Sequence, residues 1–162
     1  MHDSSSIDVD DTPLVGTLPP EIAALTSLKI AFMPGYGLKG PIDTLFVNMT
    51  SLEQVALNDN QLTGRLPDFA RYNPSLKSLI LSQNLFTGTF DHNLVLMPNL
   101  QTLEISRNKV VGNISVNLLK NSVLGKLCHH SLKTDLHGIS LSTLLTRYKR
   151  SVQTHLIWEI TT

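Results

Sequence analysis

The amino-acid sequence predicts an α/β solenoid, in which short parallel strands stack coil upon coil and turns or short helices return the chain. Three observations lead to this prediction. Leucines recur every 24 residues, at Leu28, Leu52, Leu76, Leu100 and Leu124. Five of the nine glycines keep the same period, at Gly16, Gly40, Gly64, Gly88 and Gly112. The 162-residue chain is 41% hydrophobic and has a formal net charge of zero, which suits a single modest core.

Each repeat contains one predicted strand, written Leu-x-x-Leu-x-Leu. Because side chains alternate along a strand, the last two apolar positions of this pattern point to the same side and form the core. The first of these positions holds Ala31, Val55, Leu79, Leu103 and Leu127. The second holds Met33, Leu57, Leu81 and Ile105. Stacked repeats therefore give a parallel sheet with neighbouring strands about 4.8 Å apart.

An asparagine follows each predicted strand, at Asn60, Asn84 and Asn108, whereas Tyr36 holds this position in the first full repeat. A buried asparagine amide can donate to and accept from backbone groups of adjacent turns. We therefore expect a structural asparagine ladder that is interrupted at Tyr36. The segments that return to the next strand carry several prolines, which favour turns and short helices over long helices.

Together these residues have the form Leu-x-x-Leu-x-Leu-x-x-Asn-x-Leu-x-Gly-x-Leu/Ile-Pro, most clearly over residues 52–67 and 100–114. The sequence resembles the leucine-rich repeat in its 24-residue, plant-type subclass, which occurs in ectodomains of receptor-like kinases and receptor-like proteins. The resemblance implies a right-handed curved solenoid that carries its parallel sheet on the concave face and binds partners there. It covers residues 12–127, as a half-repeat and about four full repeats.

The sequence divides into three parts. Residues 1–11 are acidic and expected to be disordered, residues 12–127 form the solenoid, and residues 128–162 form a degenerate last repeat with a capping helix or tail. Apolar residues at helical spacing after Ser140 predict the helix: Leu141, Leu144, Leu145, Tyr148 and Val152. The alternatives are a disordered or mis-spliced tail and a helix on a membrane surface. A start in mid-repeat without paired-cysteine caps is expected of a fragment or a gene-model product.

Side chains that point outward from the strands form the candidate ligand-binding face, because a solenoid sheet presents a continuous surface. The candidate residues are Ile30, Phe32, Gln54, Ala56, Asn58, Ser78, Ile80 and Glu104. Ile30, Phe32 and Ile80 place apolar area where folding does not require it, which is typical of a partner site rimmed by polar residues. The alternative is a set of scattered surface hydrophobes, which are common.

Two N-glycosylation sequons begin at Asn48 and Asn113. Both asparagines take outward positions in the repeat register, so glycans would fit there. The Asn, Ser and Thr content alone predicts about this number of sequons by chance. An extracellular or cell-surface location is therefore implied by the resemblance only, and residues 1–11 do not form a secretory signal, since they lack an apolar segment.

The sequence favours a non-catalytic module that recognises a protein or peptide as part of a receptor-like protein. Two alternatives stay open: a scaffold segment of a longer solenoid, and the ectodomain of a receptor-like kinase whose catalytic domain lies outside this chain. No catalytic motif, metal site or cofactor site is predicted, and Cys128, His129 and His130 match no zinc spacing. Balanced charge excludes nucleic acid as the main partner, the single cysteine excludes an internal disulfide, and no apolar run is long enough to cross a membrane.

Overall fold

The computed structural model describes residues 6–8, 16–112 and 131–133. Nine short strands lie in these residues: β1 (Ser6–Asp8), β2 (Gly16–Thr17), β3 (Ile30–Phe32), β4 (Leu38–Pro41), β5 (Gln54–Ala56), β6 (Gln61–Thr63), β7 (Ser78–Ile80), β8 (Thr102–Glu104) and β9 (Ser131–Lys133). Three helical segments lie between the strands: a 3₁₀ helix at Pro20–Ala24, the α-helix α1 at Phe69–Tyr72 and a second 3₁₀ helix at His92–Leu96.

The strands form two parallel sheets. In the principal sheet, β1, β3, β5, β7, β8 and β9 lie side by side in chain order. The second sheet contains β2, β4 and β6. From β1 to β8, paired residues of the principal sheet are 24 positions apart, whereas those of the second sheet are 22 apart. The predicted α/β solenoid, with a parallel sheet on one side and turns and short helices on the other, is confirmed.

The leucine columns form the core between these layers. Leu52, Leu76 and Leu100 are almost completely buried and occupy the same position in successive coils. The two strand columns are buried with them, because the parallel register places Val55 beside Leu79 and Leu79 beside Leu103. Burying each such side chain contributes about 1.5–3 kcal/mol relative to leaving it in water, so the repeated columns are the main source of stability.

The asparagine ladder joins consecutive coils. The Oδ1 atom of Asn84 accepts from the Leu62 backbone N–H at 3.0 Å, and its Nδ2 donates to the Leu57 carbonyl at 2.8 Å and the Leu81 carbonyl at 3.2 Å. The same pattern of one accepted bond and bonds donated to both coils is made by Asn60 and Asn108. Each amide therefore satisfies backbone groups that the turn would otherwise leave unpaired. Tyr36, half-buried, stands between Gly35 and Gly37, which both have positive φ angles of 74° and 69°.

The periodic glycines allow coils to approach closely. Gly64 has a φ of 81°, and a Cβ atom added there would lie 3.2 Å from the Pro41 Cβ in the preceding coil. Gly88 has the same constraint, with the Arg65 Cγ at 3.2 Å. A side chain at either position would be strained and would press on the neighbouring coil.

A second buried asparagine lies on the side opposite the principal sheet. Asn73 occupies a column that holds Met49 and Met97 in the neighbouring repeats, and it is only 1% exposed. Its Nδ2 donates to the Phe46 carbonyl at 3.0 Å and the Met49 carbonyl at 2.9 Å. Asn73 occupies a position that is apolar in the neighbouring repeats. Its two hydrogen bonds therefore link its coil to the preceding one.

The N-terminal end of the solenoid differs from the boundary expected from the sequence, whereas the last strand lies in the degenerate repeat expected after residue 127. The segment expected to be disordered contains β1, because Ile7 stands 24 residues before Ala31, pairs with it and packs half-buried against the core. At the other end, Leu132 pairs with Leu103 and takes the register position that the repeat assigned to Leu127, so this repeat is 29 residues long. The solenoid strands therefore extend beyond residues 12–127 at both ends. The helix predicted after Ser140 lies outside the described residues.

Candidate ligand-binding face

The parallel register brings the predicted site residues into rows across the principal sheet. One row contains Phe32, Ala56, Ile80 and Glu104, and the neighbouring row contains Ile30, Gln54, Ser78 and Thr102. We call the outward side chains of these rows, together with Pro34, Asn58, Ser82 and Ser106 at the strand ends, the concave face. Asp8 and Lys133 extend the first row by register at its two ends.

Exposure differs sharply among the predicted residues. Phe32 is 47% exposed and Gln54 is exposed, whereas Ile30 and Ile80 are partly covered. Ala56, which holds an outward position in the register, is only 8% exposed. The register places Ala56 between Phe32 and Ile80 on the adjacent strands, and these larger residues account for its low exposure.

A hydrogen-bonded polar row borders the concave face where the strands end. The Arg107 Nη1 donates to the Gln83 Oε1 at 2.6 Å, and the Gln83 Nε2 donates to the Asp59 Oδ1. Asn58, which is half-buried, donates from its Nδ2 to the Asp59 Oδ2 at 2.6 Å. We call Asp59, Gln83 and Arg107 the polar margin.

The polar margin has an unusual backbone conformation. Its three residues have φ angles of 59°, 59° and 55°, a region that side-chain-bearing residues seldom adopt. Gly35 occupies the same column in the first full repeat without this cost. The sequence analysis did not predict this conformation, although Gly35 at the first position of the column indicated it.

Hydroxyl groups occupy the part of the concave face nearest to β8. The Ser106 hydroxyl donates to the Ser82 hydroxyl at 3.1 Å, and Ser82 is buried. Ser78 and Thr102 lie beside each other one row away and are partly exposed. The face is therefore apolar over β3 and largely polar over β7 and β8, with Ile80 as the exception.

Charged side chains border the opposite margin. The Lys77 Nζ, just before β7, lies 2.6 Å from the Glu53 Oε2, just before β5, and the two form an ion pair. The hydrogen bond from Lys77, then its charge and more weakly that of Lys29, lower the pKa of Glu53 below its ordinary value. Because the pair is exposed, water and salt screen it and it contributes little to stability.

The side of the solenoid away from the concave face carries a shallow cleft of about 460 Å³ between α1 and the 3₁₀ helix at His92–Leu96. Its charged groups are already engaged: the Asp68 carboxylate accepts from the Arg71 backbone N–H at 3.1 Å, and the Arg71 guanidinium lies 5.3 Å from the Tyr72 ring centroid. Over residues 6–8, 16–112 and 131–133, no three or more His, Cys, Asp or Glu side chains gather as metal ligands would. The described helices are all too short to cross a membrane.

Of the two sequon asparagines, Asn48 lies within the described residues and Asn113 does not. Asn48 is exposed in the turn after Phe46, on the side that faces away from the principal sheet. Asn113 lies outside the described residues, as do Cys128, His129 and His130.

Comparison with known proteins shows what this geometry resembles. Residues 50–110 match the leucine-rich repeat family, and no curated protein matches the sequence. The leucine-rich-repeat ectodomain of the membrane receptor kinase GASSHO1/SCHENGEN3 from Arabidopsis thaliana, solved with Casparian strip integrity factor 2, is 26% identical with a TM-score of 0.64. That match covers 82% of this chain and 15% of the receptor chain.

Two further Arabidopsis structures show the same fold. The HAESA ectodomain, solved with an N-terminally extended IDA peptide hormone, has a TM-score of 0.66 and 24% identity over 83% of this chain and 22% of its own. A chain of the BIR3–SERK2 complex has a TM-score of 0.63 and 22% identity over 83% of this chain and 72% of its own. This chain thus spans less than a quarter of the GASSHO1/SCHENGEN3 and HAESA ectodomains.

The match over residues 50–110 and these solved structures show that the chain carries leucine-rich repeats similar to those of the plant type. Its solenoid resembles a segment of the ectodomain of a plant membrane receptor kinase.

Proposed function

We propose that this chain is a non-catalytic recognition module, which binds a protein or peptide ligand on its concave face as part of a receptor-like protein at the cell surface. Two of the similar ectodomains were solved with a bound peptide hormone or integrity factor, which supports recognition as the role of the fold. The proposal assigns the contact to Ile30, Phe32, Gln54, Ala56, Asn58, Ser78, Ile80 and Glu104.

The observation that carries this proposal is the apolar surface on the outer side of the principal sheet. The inward columns already supply the core, so folding does not require apolar residues at outward positions. Phe32 nevertheless presents 47% of its surface to solvent, beside the partly exposed Ile30 and Ile80. Such apolar area, bordered by polar residues on two sides, is typical of an interaction site.

The size of the face limits the kind of ligand. Six strands about 4.8 Å apart, each three residues long, give a strip of about 24 Å by 10 Å. A stable interface between globular proteins needs about 800 Å² from each partner. The strip alone is smaller than this, so it suits a peptide, or a share of a larger interface formed with further repeats.

Binding by the outward apolar residues can be tested with short random peptides displayed on phage and selected on the full chain. We expect Phe32→Glu and Ile80→Glu each to weaken binding of the enriched peptides about thirtyfold, as loss of a central contact does. Thermal unfolding should change little, because both side chains point away from the core. Leu85→Glu is the matched control, since Leu85 is 41% exposed but lies outside the concave face. Normal binding by both concave variants would refute the proposal.

The first alternative is a scaffold that extends a longer solenoid without contacting a ligand. In that case the selection should enrich peptides no more strongly on the wild-type chain than on the Phe32→Glu, Ile80→Glu double variant. The second alternative is the ectodomain of a receptor kinase, which also binds a ligand. An open reading frame that continues past Thr162 into a kinase signature would favour it.

We also propose that the protein is extracellular and glycosylated at Asn48 and Asn113. The exposure of Asn48, on the side away from the concave face, supports a glycan that leaves the ligand-binding face free. Secreted protein should lose mass on treatment with peptide N-glycosidase, and the loss should shrink in Asn48→Gln and again when Asn113→Gln is added. An unchanged mass after enzyme treatment would refute this assignment.

A further inference from the structure

We infer that the glycan proposed at Asn48 packs back onto the protein, across the Tyr72 ring and into the cleft between α1 and the 3₁₀ helix at His92–Leu96. This inference rests on the proposed glycosylation and adds the surface that the sugars occupy. In the modification itself, the Asn48 Nδ2 loses a proton and bonds to the anomeric carbon of an oligosaccharide, while the pyrophosphate-linked lipid that carried the oligosaccharide leaves with the bonding electron pair.

The 24-residue period places Asn48 in one column with Tyr72 and Leu96, on the side opposite the principal sheet. A hydrogen bond fixes the first two coils of this column against each other, since the Asn73 Nδ2 donates to the Met49 carbonyl at 2.9 Å. Asn48 and Tyr72 each come directly before one residue of that bonded pair. Tyr72 is therefore the neighbour of Asn48 in the following coil.

The cleft continues this column toward the C-terminal end. Leu96 lines it together with Arg71, whose guanidinium lies 5.3 Å from the Tyr72 ring centroid. A hydrogen bond of 3.0 Å from the Asn99 Nδ2 to the Pro74 carbonyl links the two coils that form the cleft. The path from the sequon to the cleft therefore crosses only the coil that carries Tyr72.

The cleft has the mixed lining that a sugar requires. A sugar ring is apolar on its C–H faces and polar at its hydroxyl edges, so it needs both kinds of neighbour. Pro74, Leu96 and Pro98 supply apolar surface, whereas Asp68 and Asn93 supply a carboxylate and an amide. The volume of about 460 Å³ lies in the range of about 300–1,000 Å³ that is typical of small-ligand sites. Because the cleft is shallow, the outer sugars can continue from it into solvent.

The surface on the N-terminal side of Asn48 suits a sugar less well. In the preceding coil the same column holds Ala24, and beside it stands Leu25, which is 39% exposed. Neither residue has a polar side chain for the sugar hydroxyls. An aromatic ring attracts the slightly positive C–H groups of a sugar face, which an aliphatic side chain does not. We therefore expect the glycan to turn toward Tyr72.

Hydroxyl-radical footprinting of side chains tests the contact on the full chain secreted from a eukaryotic host. All samples carry Asn113→Gln, so that Asn48 is the remaining sequon asparagine. The labelling of Tyr72 and Leu96 should be at least about threefold slower in the glycosylated chain than in the Asn48→Gln variant, since a packed sugar covers most of what these half-buried side chains expose. Phe32 is the matched control, because it is 47% exposed on the concave face and should be labelled equally in both samples.

Thermal unfolding tests whether the contact stabilises the fold, with each variant measured against its own Asn48→Gln counterpart. The glycan should raise the melting temperature by about 2–4 °C, the shift expected from one packed aromatic contact in a chain of this length. Tyr72→Ala should abolish this gain, whereas Tyr72→Phe keeps the ring and should retain it. Leu25→Ala is the matched control on the N-terminal side of Asn48 and should also retain the gain.

The outcomes separate this inference from the proposed function. If the wild-type chain carries no glycan at Asn48, the proposed glycosylation and this inference are both refuted. If the glycan is present but Tyr72 and Leu96 are labelled as fast as in Asn48→Gln, the glycan extends into solvent and only the inference is wrong. If Leu25→Ala abolishes the gain in melting temperature and Tyr72→Ala does not, the sugars pack toward the N-terminal end and the inference is again wrong. Footprinting needs no variant at the contact surface, so it decides the question even where Tyr72→Ala fails to fold.

Discussion

Removing one rung of the asparagine ladder should cost a large share of the stability. Asn84 is 4% exposed, and its amide satisfies the Leu62 N–H and the Leu57 carbonyl, both of them buried. In Asn84→Ala the Leu62 N–H loses its partner, whereas the Leu57 carbonyl still accepts from the Asn60 Nδ2 at 2.9 Å. An unpaired buried polar group costs about 1–3 kcal/mol. With one such group left unpaired, we expect the free energy of unfolding to fall by about 1–3 kcal/mol, out of the 5–15 kcal/mol typical of a domain.

The assay is urea unfolding of the full chain, followed by circular dichroism, with hydrogen exchange of the Leu62 amide as a local readout. Asn58→Ala is the matched control, since Asn58 has an amide of the same kind that donates to the exposed Asp59 carboxylate, and we expect a change within about 0.5 kcal/mol. The loss of unfolding free energy in Asn108→Ala should lie between those of the Asn84 and Asn58 variants, because Asn108 is half-buried and water can reach its partners. Equal destabilisation by the Asn84 and Asn58 variants, or an unchanged Leu62 exchange rate in Asn84→Ala, would refute the reasoning.

Two further predictions concern the coil contacts and the charged border. Gly64→Ala should destabilise by about 1–3 kcal/mol in urea unfolding, since it combines a φ of 81° with a tight contact to Pro41. Gly35→Ala is the control, because Gly35 has a φ of 74° but open space around an added Cβ, so it reports the backbone strain alone. It should lower the free energy of unfolding less than Gly64→Ala does. An equal loss in both variants would show that the contact with Pro41 contributes nothing. Glu53 should titrate by NMR below its ordinary pKa, so that its pairing with Lys77 persists at neutral pH and is lost as the pH falls through that lowered value. Lys77→Met should raise the pKa of Glu53, and a pKa that does not move would contradict the pairing.

The repeat made the core predictable from the sequence. Every coil meets the same environment, so the columns that contain Leu52, Val55 and Leu57 have one burial pattern that the period reveals. The asparagine column was predictable for the same reason, because a polar residue recurring between apolar columns needs partners that only neighbouring coils supply.

Features that depend on differences between coils were harder to predict. Ala56 is covered because its neighbours in the row are a phenylalanine and an isoleucine, and a position-by-position reading assigns it an open surface. The strand at Ile7 was missed because Ser4 replaces the leucine that opens the repeat, although the 24-residue period reaches Ile7. The role of Asn73 was not predicted, because it stands in a column of apolar residues and the backbone carbonyls that receive its amide are brought to it only by the fold.

The asparagine ladder gives the array a polarity. Every ladder bond that leaves its own coil points toward the N-terminus: from Asn60 to Met33 and Leu38, from Asn84 to Leu57 and Leu62, and from Asn108 to Leu81 and Phe86. A coil is therefore completed by its successor and not by its predecessor. Trimming the array after any of these coils therefore leaves the turn of the last retained coil without the amide of its successor, whereas the earlier turns stay intact. An engineer who shortens or splices this solenoid should choose the C-terminal junction with that order in mind.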